Sequence, residues 1–447
     1  MAIDEAAIAK LMRGLTKVCE IIRKQNAYAL IAPTICCRPS VAHWHEVQIQ
    51  DYRQAPQLTD ETVTSRVAFI GHFITADHMT LFEPSFREFQ NQERDRLIDR
   101  FHLLIKPKVY QKVAVKSVRG QTVELNFIGL FVDSRKIEEY LREQKVAAVR
   151  DLVTEAVQLA EAEGCSVVGL GGYTSIVTGN GLALPATRAH LTSGNSLTVG
   201  MGLRALTKAA RDRGINLSEA VFAGVGATGN ICSTYSLMMA SFVKKIILVG
   251  RPQRRARLRE VQRQIIECEL TKALNYLRSA KTLDHQSRPN GVGAVLADLP
   301  LVQESALTQG SNFAAILDAV VDYCDHDLKD QSPVICATDI TAIKSANLIV
   351  SASNVAHPVI YPETLTQDPC IICDISVPQD VDPSVDKLCP NVTVICGGIV
   401  DLPRNPDFNI DGIPLGRGKS YACMAETLLL GLTNFNAHFS YGEILPG

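Results

Sequence analysis

Short apolar runs alternate with helical stretches from about residue 165 onward. Apolar positions recur at helical spacing near 196–213, 230–242 and 253–278. The runs before, between and after these stretches are CSVVGLGG, AVFAGVG, KIILVG, NLIVSAS and CIICDIS. Strands that alternate with helices form βαβ units, and parallel strands covered on both faces are apolar throughout. The pattern predicts an α/β fold with a Rossmann-type parallel sheet and helices on both of its faces.

The first third of the chain has a mixed pattern. Helical spacing or strand composition predicts helices near 3–25, 84–104 and 135–163, and strands near 66–75 and 113–131. Arg119-Gly120 stands within the second strand run, where a hairpin turn would fall. This part of the chain is therefore predicted to form a separate α+β domain.

Two other stretches lack any period. Residues 279–312 are rich in Gly, Pro and Ser and predict a surface insertion, and a Gly/Pro-rich loop at 403–418 precedes a helix at about 420–433. We predict three domains: an α+β domain at 1–163, a Rossmann domain at 164–402 and a C-terminal helical segment at 403–447.

Composition and charge narrow the class of protein. Of 447 residues, 46% are hydrophobic and 21% charged, which argues against wholesale disorder. The net charge is −2, which argues against a protein held on nucleic acid by bulk charge. The opening residues lack a signal-peptide core, and no apolar run approaches the ~20 residues of a membrane span. Thirteen cysteines without framework spacing indicate reduced thiols. We expect a soluble, cytoplasmic protein.

A glycine-rich turn follows the run AVFAGVG and precedes a helical stretch. Its residues are Gly224, Val225, Gly226, Ala227, Thr228, Gly229 and Asn230. In a dinucleotide-binding loop the first glycine allows the tight turn, the second admits the pyrophosphate, and the third lets helix and strand pack closely. The helix N-terminus attracts the phosphates. The strand-turn-helix context therefore predicts dinucleotide binding by this loop.

The strand that follows ends at Gly250-Arg251 and favours NADPH over NADH. An NAD-specific site usually has Asp or Glu at this place, whereas a guanidinium binds a 2′-phosphate in a bidentate manner. Further basic residues follow at Arg254, Arg255, Arg257, Arg259 and Arg263. A solvated helix face is the favoured interpretation of that cluster, and a docking patch for an acidic partner is the alternative.

Cys423 differs from the other cysteines in its surroundings. It follows the basic loop GIPLGRGKSYA and is predicted to lie in the first turn of a helix capped by Ser420. A helix N-terminus with Arg417 and Lys419 nearby would lower the pKa of a thiol and favour the nucleophilic thiolate. From these residues alone, a nucleophile and a cysteine packed in the core both remain open.

Metal binding is not predicted. Cys370 and Cys373 form a CxxC motif inside an apolar run, with no second pair at zinc spacing. His43 and His45 flank Trp44, and His72 and His78 flank a strand end, but no further ligand is placed by spacing. Surface or buried polar roles are favoured for these histidines.

Four segments of the chain, in order, carry a resemblance to a known family. They are GGYTSI at 171–176, TSGNS at 192–196, VGATGNI at 225–231, and GGIV at 397–400 with YACMAE at 421–426 and NFNAHFSYG at 434–442. They resemble the cyanobacterial long-chain acyl-[acyl-carrier-protein] reductases, which are similar in turn to Rossmann proteins of the quinate/shikimate dehydrogenase type.

The resemblance implies an enzyme that reduces a fatty acyl thioester to a fatty aldehyde with NADPH. The family's nucleophile, which takes the acyl group, matches Cys423. Where the family has tryptophan-histidine-x-asparagine, this chain has Phe435-Asn436-Ala437-His438, so His438 is the candidate for the family's histidine. The implied partners are an acyl carrier protein or coenzyme A thioester and an aldehyde-consuming enzyme.

Polar residues at the ends of apolar runs are further site candidates. Thr174, Ser175 and Asn195 are interpreted either as turn residues or as hydrogen-bond donors beside the substrate carbonyl, with Ser175 assigned to catalysis and the other two to substrate binding. Ser351 and Ser353 follow NLIV at the carboxyl end of a predicted strand, where open α/β sheets bind ligands. Ser353 is therefore assigned to the cofactor.

Three alternatives remain. DISVPQDVDP at 374–383 resembles a segment of glutamyl-tRNA reductases, whose cysteine lies near the N-terminus, where this chain has Cys36-Cys37 outside that motif. A quinate/shikimate-type dehydrogenase would act without a covalent step. A non-catalytic NADP-binding protein would bind NADPH and release no aldehyde.

Overall fold

The structure, a computed structural model, describes residues 65–279, 287–308, 312–403 and 407–444 and the backbone of Ala32–Pro33. Three groups of expectations lie outside these residues: the helix at 3–25, the Cys36-Cys37 pair, and the histidines at 43 and 45.

Five strands form a first sheet at the N-terminal side of the described chain. In spatial order they are Lys108–Lys116, Thr122–Asp133, Ser65–Phe73, Val167–Leu170 and His190–Thr192. The first pair is the predicted antiparallel hairpin, and its turn has Gly120 at φ +90°. The remaining pairs are parallel. The helices of this part are Met79–Phe82, Asn91–Phe101, Ser134–Arg142, Ala147–Ala162, Tyr173–Val177 and Asn195–Asp212.

Alternating side chains bury both faces of the first sheet. Ala68 and Ile70 point into a cluster that contains residues of helix Ala147–Ala162. Val67 and Phe69 point the opposite way, into a cluster with residues of helix Ala422–Leu432, which we call the C-terminal helix. Successive residues of a strand face opposite sides, so the C-terminal helix completes the core of the first sheet.

Six parallel strands form a second sheet. In spatial order they are Val392–Cys396, Cys370–Asp374, Leu348–Ser351, Val221–Val225, Lys245–Val249 and Val334–Ala337. This is the strand order of dinucleotide-binding folds, and the order reverses between Val221–Val225 and Leu348–Ser351. The helices that follow these strands or pack on them are Asn230–Met239, Arg255–Ser279, Val292–Ala297, Pro300–Leu307, Phe313–Tyr323 and Val385–Leu388. The predicted α/β fold is confirmed.

Three local expectations differ from the structure. Residues 135–163 form two helices, Ser134–Arg142 and Ala147–Ala162, because the chain turns at Gln144 with φ +59°. The stretch 279–312 contains two helices. Val292 and Leu296 of the first helix, Val292–Ala297, are buried in the core of the second sheet. The run CSVVGLGG pairs with Ser65–Phe73 in the first sheet, although the pattern grouped it with the Rossmann strands.

A small sheet leads into the C-terminal helix. Ile399–Asp401 pairs with Ala32–Pro33 on one side and with Lys419–Tyr421 on the other. Within the described ranges, no helix combines the length and apolar character that crossing a bilayer requires.

Candidate active site

A cavity of about 340 Å³ lies where the carboxyl ends of the two sheets meet. The first sheet contributes the residues after Ser65–Phe73, Val167–Leu170 and His190–Thr192, and the second contributes those after Leu348–Ser351 and Cys370–Asp374. Ligands of open α/β sheets bind outside the carboxyl ends of the strands, at the point where the strand order reverses. The cavity is therefore the candidate active site.

Cys423 lines this cavity from the first turn of the C-terminal helix. The helix begins at Ala422, and its N-cap is Tyr421. Ser420 is not the predicted cap, because it belongs to strand Lys419–Tyr421 and its hydroxyl donates to the carbonyl oxygen of Tyr421. Gly194 packs so closely on the thiol residue that a Cβ at Gly194 would stand 2.2 Å from the Cys423 Cα.

Burial raises the pKa of the Cys423 thiol to about 12. The backbone N–H groups of Met424, Cys423 and Gly172 act in the opposite direction, and the nearby Glu426 carboxylate raises the pKa further. The expectation of a pKa lowered by Arg417 and Lys419 is wrong for this structure. Arg417 pairs with Asp407 and Lys419 with Asp401, and burial of the sulfur dominates.

Two loops of the first sheet bring predicted polar residues to the cavity. Ser175 and Asn195 both line it; Ser175 donates to the Gly172 carbonyl at 2.8 Å, and Asn195 donates to the Asn180 side chain at 3.3 Å. Thr174 is fully buried, and its hydroxyl donates to the Gly171 carbonyl at 2.9 Å. Thr174 therefore supports the turn, whereas Ser175 and Asn195 remain within reach of a ligand.

The glycine-rich loop lies between strand Val221–Val225 and helix Asn230–Met239, and its end lines the cavity. Gly226 has φ +82°, and a Cβ there would stand 2.6 Å from the carbonyl oxygen of Ala352. Gly224 packs against the helix, because a Cβ would stand 2.8 Å from Cys232 Sγ. Gly226 thus makes the turn that was expected of Gly224, and Gly224 makes the close helix contact that was expected of Gly229.

The remaining loop residues have distinct surroundings. Ala227 is fully buried in the core of the second sheet, and Thr228 is half-buried on the turn. Asn230 lines the cavity, but its side chain donates to the Gly442 carbonyl at 3.0 Å and accepts from the Ile444 N–H at 2.9 Å. The backbone N–H groups at the start of this helix have no intrahelical partner and can bind phosphate oxygens.

Arg251 and Ser353 border the cavity on the second sheet's side. Arg251 follows strand Lys245–Val249, is exposed, and donates to the carbonyl oxygen of Asn354, a lining residue, at 3.0 Å. Ser353 lines the cavity, its hydroxyl donates to Asp380, and its N–H reaches both Ser376 Oγ and Asp380 Oδ2 at 3.0 Å. The N–H groups at the start of helix Asn230–Met239 and the exposed Arg251 guanidinium fit a phosphorylated dinucleotide.

His438 is not among the residues that line the cavity. Its Nδ1 accepts the N–H of Leu191 at 3.0 Å, and its ring stacks on Tyr441 with 4.5 Å between centroids. Burial lowers the pKa of His438, and the neighbouring His190 lowers it further. His438 thus links the segment that follows the C-terminal helix to the first sheet.

Sequence reasoning missed two kinds of cavity residue. Tyr173 is 4% exposed and lines the cavity, and its hydroxyl has no hydrogen-bond partner among the described residues. Phe69, Phe82 and Phe127 form an aromatic wall, in which Phe82 and Phe127 stack with 6.2 Å between centroids. The phenylalanines lie far apart along the chain, so no local spacing signals the wall.

The CxxC motif and the basic cluster noted in the sequence do not form binding sites in the structure. Cys370 and Cys373 point into the cores on opposite faces of the second sheet, so they cannot share a metal ion. Within the described residues, no group of three or more potential metal ligands converges. Arg257, Arg259 and Arg263 form ion pairs with Glu443, Asp325 and Asp318, which favours the helix-face interpretation of the basic cluster.

No family model matches this chain. A long-chain acyl-[acyl-carrier-protein] reductase of Synechococcus elongatus is 23% identical over 351 residues, which cover 75% of this chain and 81% of that protein. The aminotransferase PigE of a Serratia species is 25% identical over 343 residues, or 74% of this chain but only 31% of that protein. The chain is thus distantly related to a long-chain acyl-[acyl-carrier-protein] reductase.

Proposed function

We propose that this protein reduces a fatty acyl thioester to a fatty aldehyde with NADPH, through a thioester on Cys423. The observation that carries the proposal is the position of Cys423: its side chain opens onto a cavity that also borders the glycine-rich loop and the aromatic wall. A nucleophile, a nucleotide-binding loop and an apolar surface are the three parts that this reaction needs. The distant reductase relative supports the same chemistry.

The covalent step is an exchange between two thioesters. The Cys423 sulfur attacks the acyl carbonyl carbon, a new C–S bond forms, and the bond to the donor's sulfur breaks. The proton of the Cys423 thiol ends on the donor thiol, so the exchange needs no further reactant. Burial raises the pKa of Cys423, and the N–H groups of Gly172, Cys423 and Met424 offset part of that effect by stabilising negative charge on the sulfur.

The aromatic wall supports an acyl chain as the substrate's body. Phe69, Phe82 and Phe127 line the cavity together with Ile413 and Pro414. Transfer of a methylene group from water to such a surface stabilises the complex by roughly 0.8 kcal/mol. A long chain gains most from this contact, whether its donor is a carrier protein or coenzyme A.

The nucleotide would lie on the second sheet. The glycine-rich loop and the start of helix Asn230–Met239 would hold the pyrophosphate, and Arg251 would bind a 2′-phosphate. Ser353 and the unpartnered Tyr173 hydroxyl border the same space. NADPH, when bound, would supply a hydride for the acyl carbon. The role of Cys423 in that stage would be to leave the carbon as a thiolate and to take a proton from water.

The first prediction concerns the covalent step. After incubation with palmitoyl-coenzyme A and no NADPH, intact mass should rise by one acyl chain in the wild type and stay unchanged in Cys423→Ala. Cys268→Ala is the matched control, because Cys268 is an exposed thiol on helix Arg255–Ser279, and it should acylate like the wild type.

Three results would contradict this proposal. Aldehyde formed by Cys423→Ala on addition of NADPH would favour direct reduction of the quinate/shikimate dehydrogenase type. An acyl adduct that persists in Cys423→Ala would assign the nucleophile to another residue. NADPH binding with neither adduct nor aldehyde would indicate a protein without turnover.

A further inference from the structure

His72 is a half-buried histidine at the end of strand Ser65–Phe73, and it lines the same cavity as the candidate nucleophile. Its Nδ1 lies 2.8 Å from the Phe73 carbonyl oxygen, and its Nε2 lies 3.1 Å from the backbone nitrogen of Tyr173. The Tyr173 nitrogen can only donate, so Nε2 must accept and the ring proton must be on Nδ1. Burial lowers the pKa of His72 to about 4, so the ring is neutral near pH 7.

The Tyr173 N–H belongs to the turn Gly171–Tyr173, which runs past the Cys423 sulfur. Gly172 in this turn has φ +54°, and a Cβ there would stand 3.0 Å from His72 Nε2. The Gly172 N–H acts on the Cys423 thiol, so the same turn contacts the imidazole on one side and the sulfur on the other. His72 itself also lines the cavity.

We propose that His72 is a positioning residue, whose neutral Nδ1–H tautomer holds the turn Gly171–Tyr173 so that the Gly172 N–H stabilises negative charge on the Cys423 sulfur. The proposal rests on the function proposed above, because it assigns Cys423 as the nucleophile. If the turn rotated, the Gly172 N–H would point away or a carbonyl oxygen would take its place. The sulfur would then lose one of its three N–H donors, which are those of Gly172, Cys423 and Met424. Donors of this kind contribute most in a buried site, where water does not compete.

Other titratable groups around the sulfur do not replace this donor. Glu426 lies on the C-terminal helix, where its carboxylate accepts from Thr192 and from the Leu197 N–H at 2.7 Å, and it opposes ionisation of the thiol. Tyr421 precedes the helix, and burial raises its pKa far above its ordinary value. His78 faces His72 and lowers the pKa of that ring, which favours the neutral form that the turn requires.

The test compares two amide substitutions of His72. In His72→Gln the amide oxygen extends to the place of Nε2 and can still accept from the Tyr173 N–H. In His72→Asn the amide reaches only the place of Nδ1, so the contact with Phe73 can persist while the contact with Tyr173 is lost. The probe is iodoacetamide, and its rate at the Cys423 peptide is followed by mass spectrometry between pH 6 and 10.

Burial keeps the Cys423 thiol mostly protonated between pH 6 and 10, so the alkylation rate in this range measures the small thiolate fraction. We expect this rate to be about tenfold lower in His72→Asn than in the wild type at each pH, the change that a pKa one unit higher produces. In His72→Gln the profile should stay close to that of the wild type. Identical profiles in the wild type and His72→Asn would overturn the proposal, and so would equal shifts in both variants, since these would indicate a general loss of structure.

A second variant covers the case in which His72→Asn does not fold. Gly172→Ala keeps the imidazole but adds a Cβ 3.0 Å from Nε2 and strains a positive φ, so it displaces the same N–H. It should likewise lower the alkylation rate of Cys423 below that of the wild type at each pH, and an unchanged rate would overturn the proposal. Failure of the wild type to acylate would instead refute the proposed function, because the alkylation comparison does not depend on an acyl donor.

Discussion

Arg251 is the residue proposed to determine the choice of cofactor. Its guanidinium stands at the end of the second strand of the Rossmann sheet in chain order and already donates to the Asn354 carbonyl, which keeps it at the edge of the cavity. The charge itself is exposed, so water screens it until a phosphate binds. In the proposed function, selectivity for NADPH over NADH would therefore come from bidentate hydrogen bonds of the guanidinium rather than from long-range attraction.

We predict that Arg251→Asp raises the KM for NADPH by roughly tenfold to a hundredfold, the range expected for loss of charge-assisted hydrogen bonds. The KM for NADH should change much less or fall, since Asp can accept from a ribose hydroxyl. Arg254→Asp is the matched control, because it makes the same change in charge on an exposed residue of the next turn. An unchanged ratio of the two KM values in Arg251→Asp would show that another residue binds the 2′-phosphate.

At the scale of elements, the start of helix Asn195–Asp212 and the start of the C-terminal helix meet at one point. Gly194, with φ +73°, precedes the first helix and contacts the Cys423 Cα and Cβ of the second. Buried Glu426, one turn further along, accepts the Leu197 N–H and so ties the two helix starts together. The position of the thiol is thus set by packing between two helices that are remote in sequence.

We predict that Gly194→Ala lowers the melting temperature and slows acylation of Cys423, because the new methyl group would stand 2.2 Å from the Cys423 Cα. The strain of a positive φ alone costs about 1–2 kcal/mol. Gly214→Ala isolates that strain, since Gly214 has φ +67° and nothing lies within 4 Å of its added Cβ. Equal losses of stability in the two variants, with acylation intact in Gly194→Ala, would contradict the packing argument.

The sequence predicted most elements but not how they assemble around the site. Apolar runs and helical spacing predicted strands such as Val221–Val225 and the helix that follows it, because these signals are local. The pairing of Val167–Leu170 with the first sheet was missed, since an apolar run does not specify its neighbour. The raised pKa of Cys423 was missed for the same reason: Gly194 and the turn Gly171–Tyr173 bury the sulfur through contacts that are distant in sequence.

At the scale of the whole molecule, the chain after the C-terminal helix connects the two sheets beside the cavity. On the first sheet, Ser440 accepts through its carbonyl from the Ser193 hydroxyl at 2.6 Å and bonds through its hydroxyl to Ser196. On the second, Ile444 is buried and contacts the helix that follows the glycine-rich loop. We call residues 438–444 the connecting strap.

The connecting strap holds Asn230 at the start of the proposed phosphate-binding helix, so loss of these contacts should affect both stability and cofactor binding. We predict that Asn230→Ala lowers the free energy of unfolding by about 1–3 kcal/mol, since it removes the hydrogen bonds to Gly442 and Ile444. The KM for NADPH should rise more than that for the acyl thioester, because the strap contacts the nucleotide-binding side.

Ile444→Ala, which alters the strap and leaves the loop intact, should act in the same direction. If Asn230→Ala raised the KM for NADPH while Ile444→Ala left both stability and KM at wild-type values, the asparagine would act on the nucleotide directly and the strap would have no part in it.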